Sequence, residues 1–144
     1  MESTEHINTD NILSELRNKQ PHILIIEDER LVCWSLEQAL MKAGFSVTSL
    51  IDGSEAVTNL KSYQYDIIIT DFDLPGANGD EIASLVKSTS RDTPVILTGA
   101  FSEHDLKLAG KRDLFDMFFE KPYRLNEIIE QVFCLLSMKS LKNV

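Results

Sequence analysis

Cysteine is scarce in this chain: among 144 residues only Cys33 and Cys134 carry thiols. There is no Cys-x-x-Cys pair, no Cys/His cluster and no secretory disulfide pattern, so both read as reduced core residues of an intracellular protein. Long apolar runs are missing as well. None approaches the roughly 20 residues needed to span a bilayer, and the polar stretch 1–20 lacks the apolar segment of a secretion signal. The expectation is a soluble, cytoplasmic chain with no membrane association. Positive charge is the third shortage: 14 Lys+Arg against 23 Asp+Glu leave a formal charge of −9. Nucleic acid is held chiefly by clustered Lys and Arg, so direct nucleic-acid binding by this chain is not expected.

What is present is an ordinary globular composition, 43% hydrophobic and 26% charged, over a length that fits one domain. Residues 1–20 form a polar extension. In it Thr9 either caps a short helix carrying Ile12, Leu13 and Leu16 on one side or belongs to a frayed tail. Residues 21–138 hold a regular pattern, and 139–144 read as a tail or the start of a linker. Segment 22–26 ends in the unbroken apolar run Ile23-Leu24-Ile25-Ile26, which suits a strand buried on both faces. Segment 31–43 has helical spacing through Leu31, Trp34, Leu36, Ala39, Leu40 and Ala43, and Gly44 ends it. Further strands are expected at 46–50, 67–69, 94–98 and 115–119. Helices are expected from Asp52 or Ser54 through Leu60, and at 81–87, 102–109 and 124–138; 72–78, with Pro75-Gly76, is a loop. Five strands alternating with five helices over short connections imply an α/β fold, a doubly wound five-stranded parallel sheet with helices on both faces.

In such sheets ligands lie beyond the carboxyl ends of the strands. Those ends present Glu27-Asp28 at the first strand, Asp71 at the third, Thr98 at the fourth and Lys121 at the fifth. Singly, each has a plain structural explanation: an acidic pair opening a helix, a β-branched strand residue, a solvated lysine. Jointly they ask for more, because three carboxylates on one rim repel one another and need a compensating cation. Lys121 supplies one charge, and a hard divalent ion would supply two. Mg2+ prefers oxygen ligands and is commonly shared between carboxylates and phosphate oxygens. A carboxylate in such a site can also be the nucleophile that accepts a phosphoryl group.

Four segments occur in order around that rim: Ile-Leu-Ile-Ile-Glu27-Asp28-Glu29, Asp66-Ile-Ile-Ile-Thr-Asp71-Phe-Asp-Leu-Pro75-Gly76-Ala-Asn-Gly79, Pro94-Val-Ile-Leu-Thr98-Gly-Ala, and Phe118-Phe-Glu-Lys121-Pro122-Tyr123. From about His22 to Leu136, four-fifths of its length, the chain resembles bacterial response-regulator receiver domains of two-component systems. The resemblance implies the flavodoxin/CheY-like strand order 2-1-3-4-5 and a role for each rim residue. Asp71 is the expected phosphoacceptor, supplied by a sensor histidine kinase or a histidine phosphotransfer protein. Mg2+ is the expected cofactor, held by Glu27, Asp28, Asp71 and the backbone carbonyl of Asp73. Lys121 is expected to pair with one phosphate oxygen and Thr98 to hydrogen-bond another. Movement of Thr98 toward the phosphate would open space for the ring of Phe118, three residues before the lysine.

The helix 102–109, the strand 115–119 and the helix 124–138 would then form an output face that serves a partner or a second copy of the chain. The turn before the fifth strand departs from the family, with Leu114-Phe115-Asp116-Met117 in place of the usual Gly-Ala-acidic-acidic. The implied role is signalling, not turnover of outside substrates, with self-catalysed phosphotransfer and autodephosphorylation the only chemistry. Output would come from a partner or from further sequence. A second reading keeps the fold and drops the chemistry: a pseudo-receiver that binds proteins without being phosphorylated. Two enzyme or carrier readings fit poorly. The nucleophile motif of haloacid-dehalogenase-like phosphatases resembles Asp71-Phe72-Asp73, but their further acids follow the nucleophile, whereas here the acidic pair precedes it. A flavodoxin-like carrier would find its flavin phosphate repelled by Glu27-Asp28-Glu29.

Overall fold

The run Ile23-Leu24-Ile25-Ile26 is fully buried, as a strand covered on both faces must be. It belongs to a computed structural model that describes residues 10–12, 14, 19–90 and 92–142. The elements run β1 (His22–Ile26), α1 (Arg30–Lys42), β2 (Ser46–Leu50), α2 (Gly53–Leu60), β3 (Ile67–Asp71) and α3 (Gly79–Thr89). They continue with β4 (Val95–Gly99), α4 (Glu103–Leu108), a 3-10 turn (Arg112–Leu114), β5 (Met117–Glu120) and α5 (Leu125–Lys142). All neighbouring strands are parallel, in the order β2-β1-β3-β4-β5, as expected.

Alternation along the strands sorts the core into two layers. Ile23, Ile25, Ile67, Ile69, Ile96 and Phe119 face Cys33, Leu36 and Leu40 of α1 and Ile128, Val132 and Leu136 of α5. Leu24, Ile26, Ile68, Val95, Leu97 and Phe118 face Ala56, Ile82, Ala83, Val86 and Leu106 of α2, α3 and α4. Each fully buried aliphatic side chain contributes about 1.5–3 kcal/mol of transfer free energy, so the paired layers hold the sheet rigid beneath its carboxyl rim.

Some expectations shift. On α1 the buried stripe is Cys33, Leu36 and Leu40, while Leu31 and Trp34 are 79% and 59% exposed; a 3.6-residue period that brings 33, 36 and 40 inward turns 31 and 34 outward. Cys134 is likewise exposed, because the inward stripe of α5 is 128, 132 and 136. The Cys33 thiol is buried, and burial is the main cause that pushes it up to about 11, so it stays protonated and inert. Strand β3 continues through Asp71. Strand β5 starts at Met117, two residues late, because the 3-10 turn precedes it and Asp116 grips Val95: its N–H donates to the Val95 carbonyl, and its carboxylate accepts the Val95 N–H at 2.8 Å. Helix α5 runs past Met138 to Lys142. Of the extension, Thr9, Leu13 and Leu16 lie outside the described residues; 10–12 are helical and Ile12 rests on the α1/α5 layer.

Candidate functional site

Period-two alternation builds the site. Ile25, Ile69, Ile96 and Phe119 all face the α1/α5 layer, and two residues further along each chain stand Glu27, Asp71, Thr98 and Lys121, directed to the same side. The rim is stitched by backbone hydrogen bonds. The Phe72 N–H donates to the Thr98 carbonyl at 3.0 Å, and the Lys121 N–H to the Gly99 carbonyl at 2.8 Å. Asp71 and Thr98 are register partners in the β3–β4 pair. The Lys121-Pro122 peptide is cis.

Lys121 bridges two buried acids. Its Nζ lies 2.6 Å from Glu27 Oε1 and 3.0 Å from Asp71 Oδ2, with exposed Glu29 at 4.0 Å. Glu27 and Asp71 are 2% and 7% exposed and Thr98 is buried. Asp28, on the solvent side, completes a group of three acids whose ligand oxygens all lie within 4.8 Å of one another. Asp73 is exposed in the 72–78 loop, and its carboxylate is outside that group.

Charge explains what is unusual here. Three carboxylates against one ammonium leave two negative charges uncompensated. Burial, joined by the neighbouring Asp71, pushes the Glu27 carboxyl up to about 7 despite its hydrogen bond from Lys121. Burial opposes the charge of Lys121 too, but its hydrogen bonds to Glu27 and Asp71 outweigh it and hold the ammonium above the ordinary lysine range. Glu27 Oε2 is buried and has no hydrogen-bond partner among the described residues. An unpaired carboxylate oxygen beside two further carboxylates is what a small, hard cation would complete, so the donor set fits Mg2+.

The raised Glu27 carboxyl gives a pH prediction. The folded chain keeps a proton up to about pH 7 that the unfolded chain releases near 4.5. The group therefore contributes stability below about pH 4.5 that is lost as pH rises through about 7. The metal-free melting temperature is expected to fall across that window, and Glu27→Gln, which cannot ionise, should flatten the fall. A parent and variant with parallel pH profiles would contradict this assignment.

Phe118 is buried in the layer that faces α2, α3 and α4. Its neighbour is Phe101, stacked on it with centroids 5.3 Å apart and planes at 15°. Phe101 also meets Phe72 edge-on at 5.2 Å. Sequence reasoning gave no role to Phe101, Phe72 or Tyr123. Tyr123 sits in the quoted Lys121-Pro122-Tyr123 motif, and its buried hydroxyl has no hydrogen-bond partner among the described residues. The Phe101 contacts depend on a loop path that no short-range pattern announces.

Comparisons with known proteins agree with this geometry. The family model described as the response regulator receiver domain matches residues 23–133. The transcriptional regulatory protein PrrA of Mycobacterium leprae is 33% identical over 116 residues, covering 81% of this chain and 50% of that protein. The response regulator ArlR of Staphylococcus aureus is 31% identical over 122 residues, 85% of this chain and 55% of that protein. The chain thus spans about half the length of the curated relatives it matches. Among solved structures, the response regulator protein TrrA of Thermotoga maritima in complex with Mg2+-BeF aligns with a TM-score of 0.72 at 27% identity, covering 80% of this chain and 98% of that one.

Proposed function

Because the chain belongs to the response-regulator receiver family of two-component signalling, we propose that it is an active phosphoacceptor whose Asp71 takes a phosphoryl group from a sensor histidine kinase or a histidine phosphotransfer protein. The observation that carries this reading is the Lys121 ammonium shared between buried Glu27 and Asp71. Buried charges are costly to keep, and a fold used only to bind other proteins has no need of them at its rim.

In this reading an Asp71 carboxylate oxygen attacks phosphorus in line. The new O–P bond forms as the P–N bond to the donor imidazole breaks, and the electron pair leaves with the imidazole, which takes up a proton. Lys121 stays beside the acceptor oxygen and offsets the charge spreading over the phosphoryl oxygens. The Thr98 hydroxyl donates to another oxygen once the group is attached. Glu27, Asp28, Asp71 and the Asp73 carbonyl would hold Mg2+, which when bound neutralises and orients the phosphoryl oxygens. Drawing Thr98 toward Asp71 rearranges the 99–101 loop against Phe118, and α4, β5 and α5 carry the change to a partner or to a second copy. The setting is cytoplasmic.

Beryllofluoride, an unreactive stand-in for the phosphoryl group, tests this by calorimetry. The parent is expected to bind it only together with Mg2+, at one site. Lys121→Met should bind Mg2+ more tightly, because the competing ammonium is gone, yet bind beryllofluoride about tenfold more weakly or worse. Failure of the parent to bind beryllofluoride in Mg2+ would favour the pseudo-receiver.

A further inference from the structure

Gly99 follows Thr98 directly, and the ring of Phe101 folds back over it. A Cβ placed on Gly99 would meet Phe101 Cε1 at 2.6 Å and Cζ at 2.8 Å. The same ring is stacked on Phe118 of β5 and edge-on to Phe72, the residue next to Asp71. Phe72 in turn donates its N–H to the Thr98 carbonyl, and Gly99 accepts the N–H of Lys121. One side chain therefore touches the candidate switch ring and the chain neighbours of the phosphoacceptor and of the threonine.

We propose that Phe101 is a positioning residue that clamps the unphosphorylated arrangement: its ring holds Phe118 and the Thr98-Gly99 backbone in place until the phosphoryl group pulls Thr98 away. This rests on the phosphoacceptor reading above and adds to it a residue that sets the cost of switching. The direction follows from where the contacts are made. They exist while Lys121 still bridges Glu27 and Asp71, so they weigh on the resting side of the equilibrium. Any shift of the Thr98-Gly99 backbone toward Asp71 moves the seat on which the ring lies. A ligand that favours the switched arrangement then pays for displacing the ring, and weakening the clamp raises its apparent affinity.

Two variants of the full chain weaken the clamp by independent routes. Phe101→Leu keeps bulk and removes the ring faces; Gly99→Ala keeps the ring and forces it off its seat. Each aromatic contact is worth a few-fold in an equilibrium constant. Both variants are therefore expected to bind beryllofluoride in Mg2+ about fivefold more tightly than the parent, with the affinity for Mg2+ alone unchanged. Fluorine NMR of chains carrying fluorophenylalanine gives a readout that general destabilisation does not move. In the ligand-free variants the Phe118 resonance should shift toward its beryllofluoride-bound position, while Phe45, in the opposite core layer, stays put. Beryllofluoride affinity unchanged or weakened in either variant overturns the clamp, as does an unmoved ligand-free Phe118 resonance. Absence of beryllofluoride binding by the parent instead strikes at the phosphoacceptor reading and takes the clamp with it, whereas a parent that binds while either variant gains no affinity strikes at the clamp alone.

Discussion

Asp71→Asn is expected to take up no phosphoryl group from acetyl phosphate in Mg2+, with labelling roughly a thousandfold or more below the parent. An amide oxygen is a poor nucleophile and carries no charge with which to hold a cation. The loss should not come from unfolding. Asn matches Asp in shape, and Lys121 keeps its 2.6 Å contact with Glu27. Removing one of the three crowded carboxylates also relieves repulsion, so the metal-free variant should melt no lower than the parent. Intact-mass measurement after acetyl phosphate treatment, paired with a melting curve, separates the two effects. A variant labelled as fully as the parent would mean that the acceptor lies elsewhere.

Gly53→Ala is expected to cost about 3 kcal/mol, lowering the melting temperature by roughly 10 °C for a domain of this size. The helix α2 begins hard against the loop that follows Asp71. A Cβ on Gly53 would lie 1.8 Å from the Ala77 carbonyl oxygen, and the Gly53 N–H already donates to the Pro75 carbonyl at 2.8 Å. Neither neighbour can yield as a flexible side chain would, because both are backbone. Either α2 or the 72–78 loop must shift, and the loop carries Asp73. The variant should therefore also bind Mg2+ more weakly than the parent. A melting temperature within a degree or so of the parent would show that the loop absorbs the methyl group freely.

Much of this was legible in the chain because strands buried on both faces write unambiguous apolar runs. Segments 23–26 and 67–69 fit that pattern, and the acids at their ends, Glu27-Asp28 and Asp71, fall on one rim because the two strands run parallel in one sheet. Alternation even gives their common direction, since Glu27, Asp71, Thr98 and Lys121 each stand two residues beyond a core residue of the α1/α5 layer. Other features were not legible. Leu31 and Trp34 match a helical period as well as Cys33 does, and only packing against α5 decides which stripe is buried. The late start of β5 depends on Asp116 reaching Val95, a contact across 21 residues. The ring of Phe101 reads as an ordinary loop aromatic until the fold sets it between Phe72 and Phe118.

The most direct measurement is chemical identification of the modified atom in the parent chain. An acyl phosphate formed with acetyl phosphate and Mg2+ is reduced by borohydride to an alcohol, which turns an aspartyl phosphate into homoserine at that position. Peptide mapping by mass spectrometry then reads the site. The expected result is homoserine at position 71 and nowhere else, with none formed when Mg2+ is withheld. Homoserine at Asp28 or Asp73, or a phosphoryl group that survives on His22 or His104, would contradict the assignment of Asp71 as the phosphoacceptor.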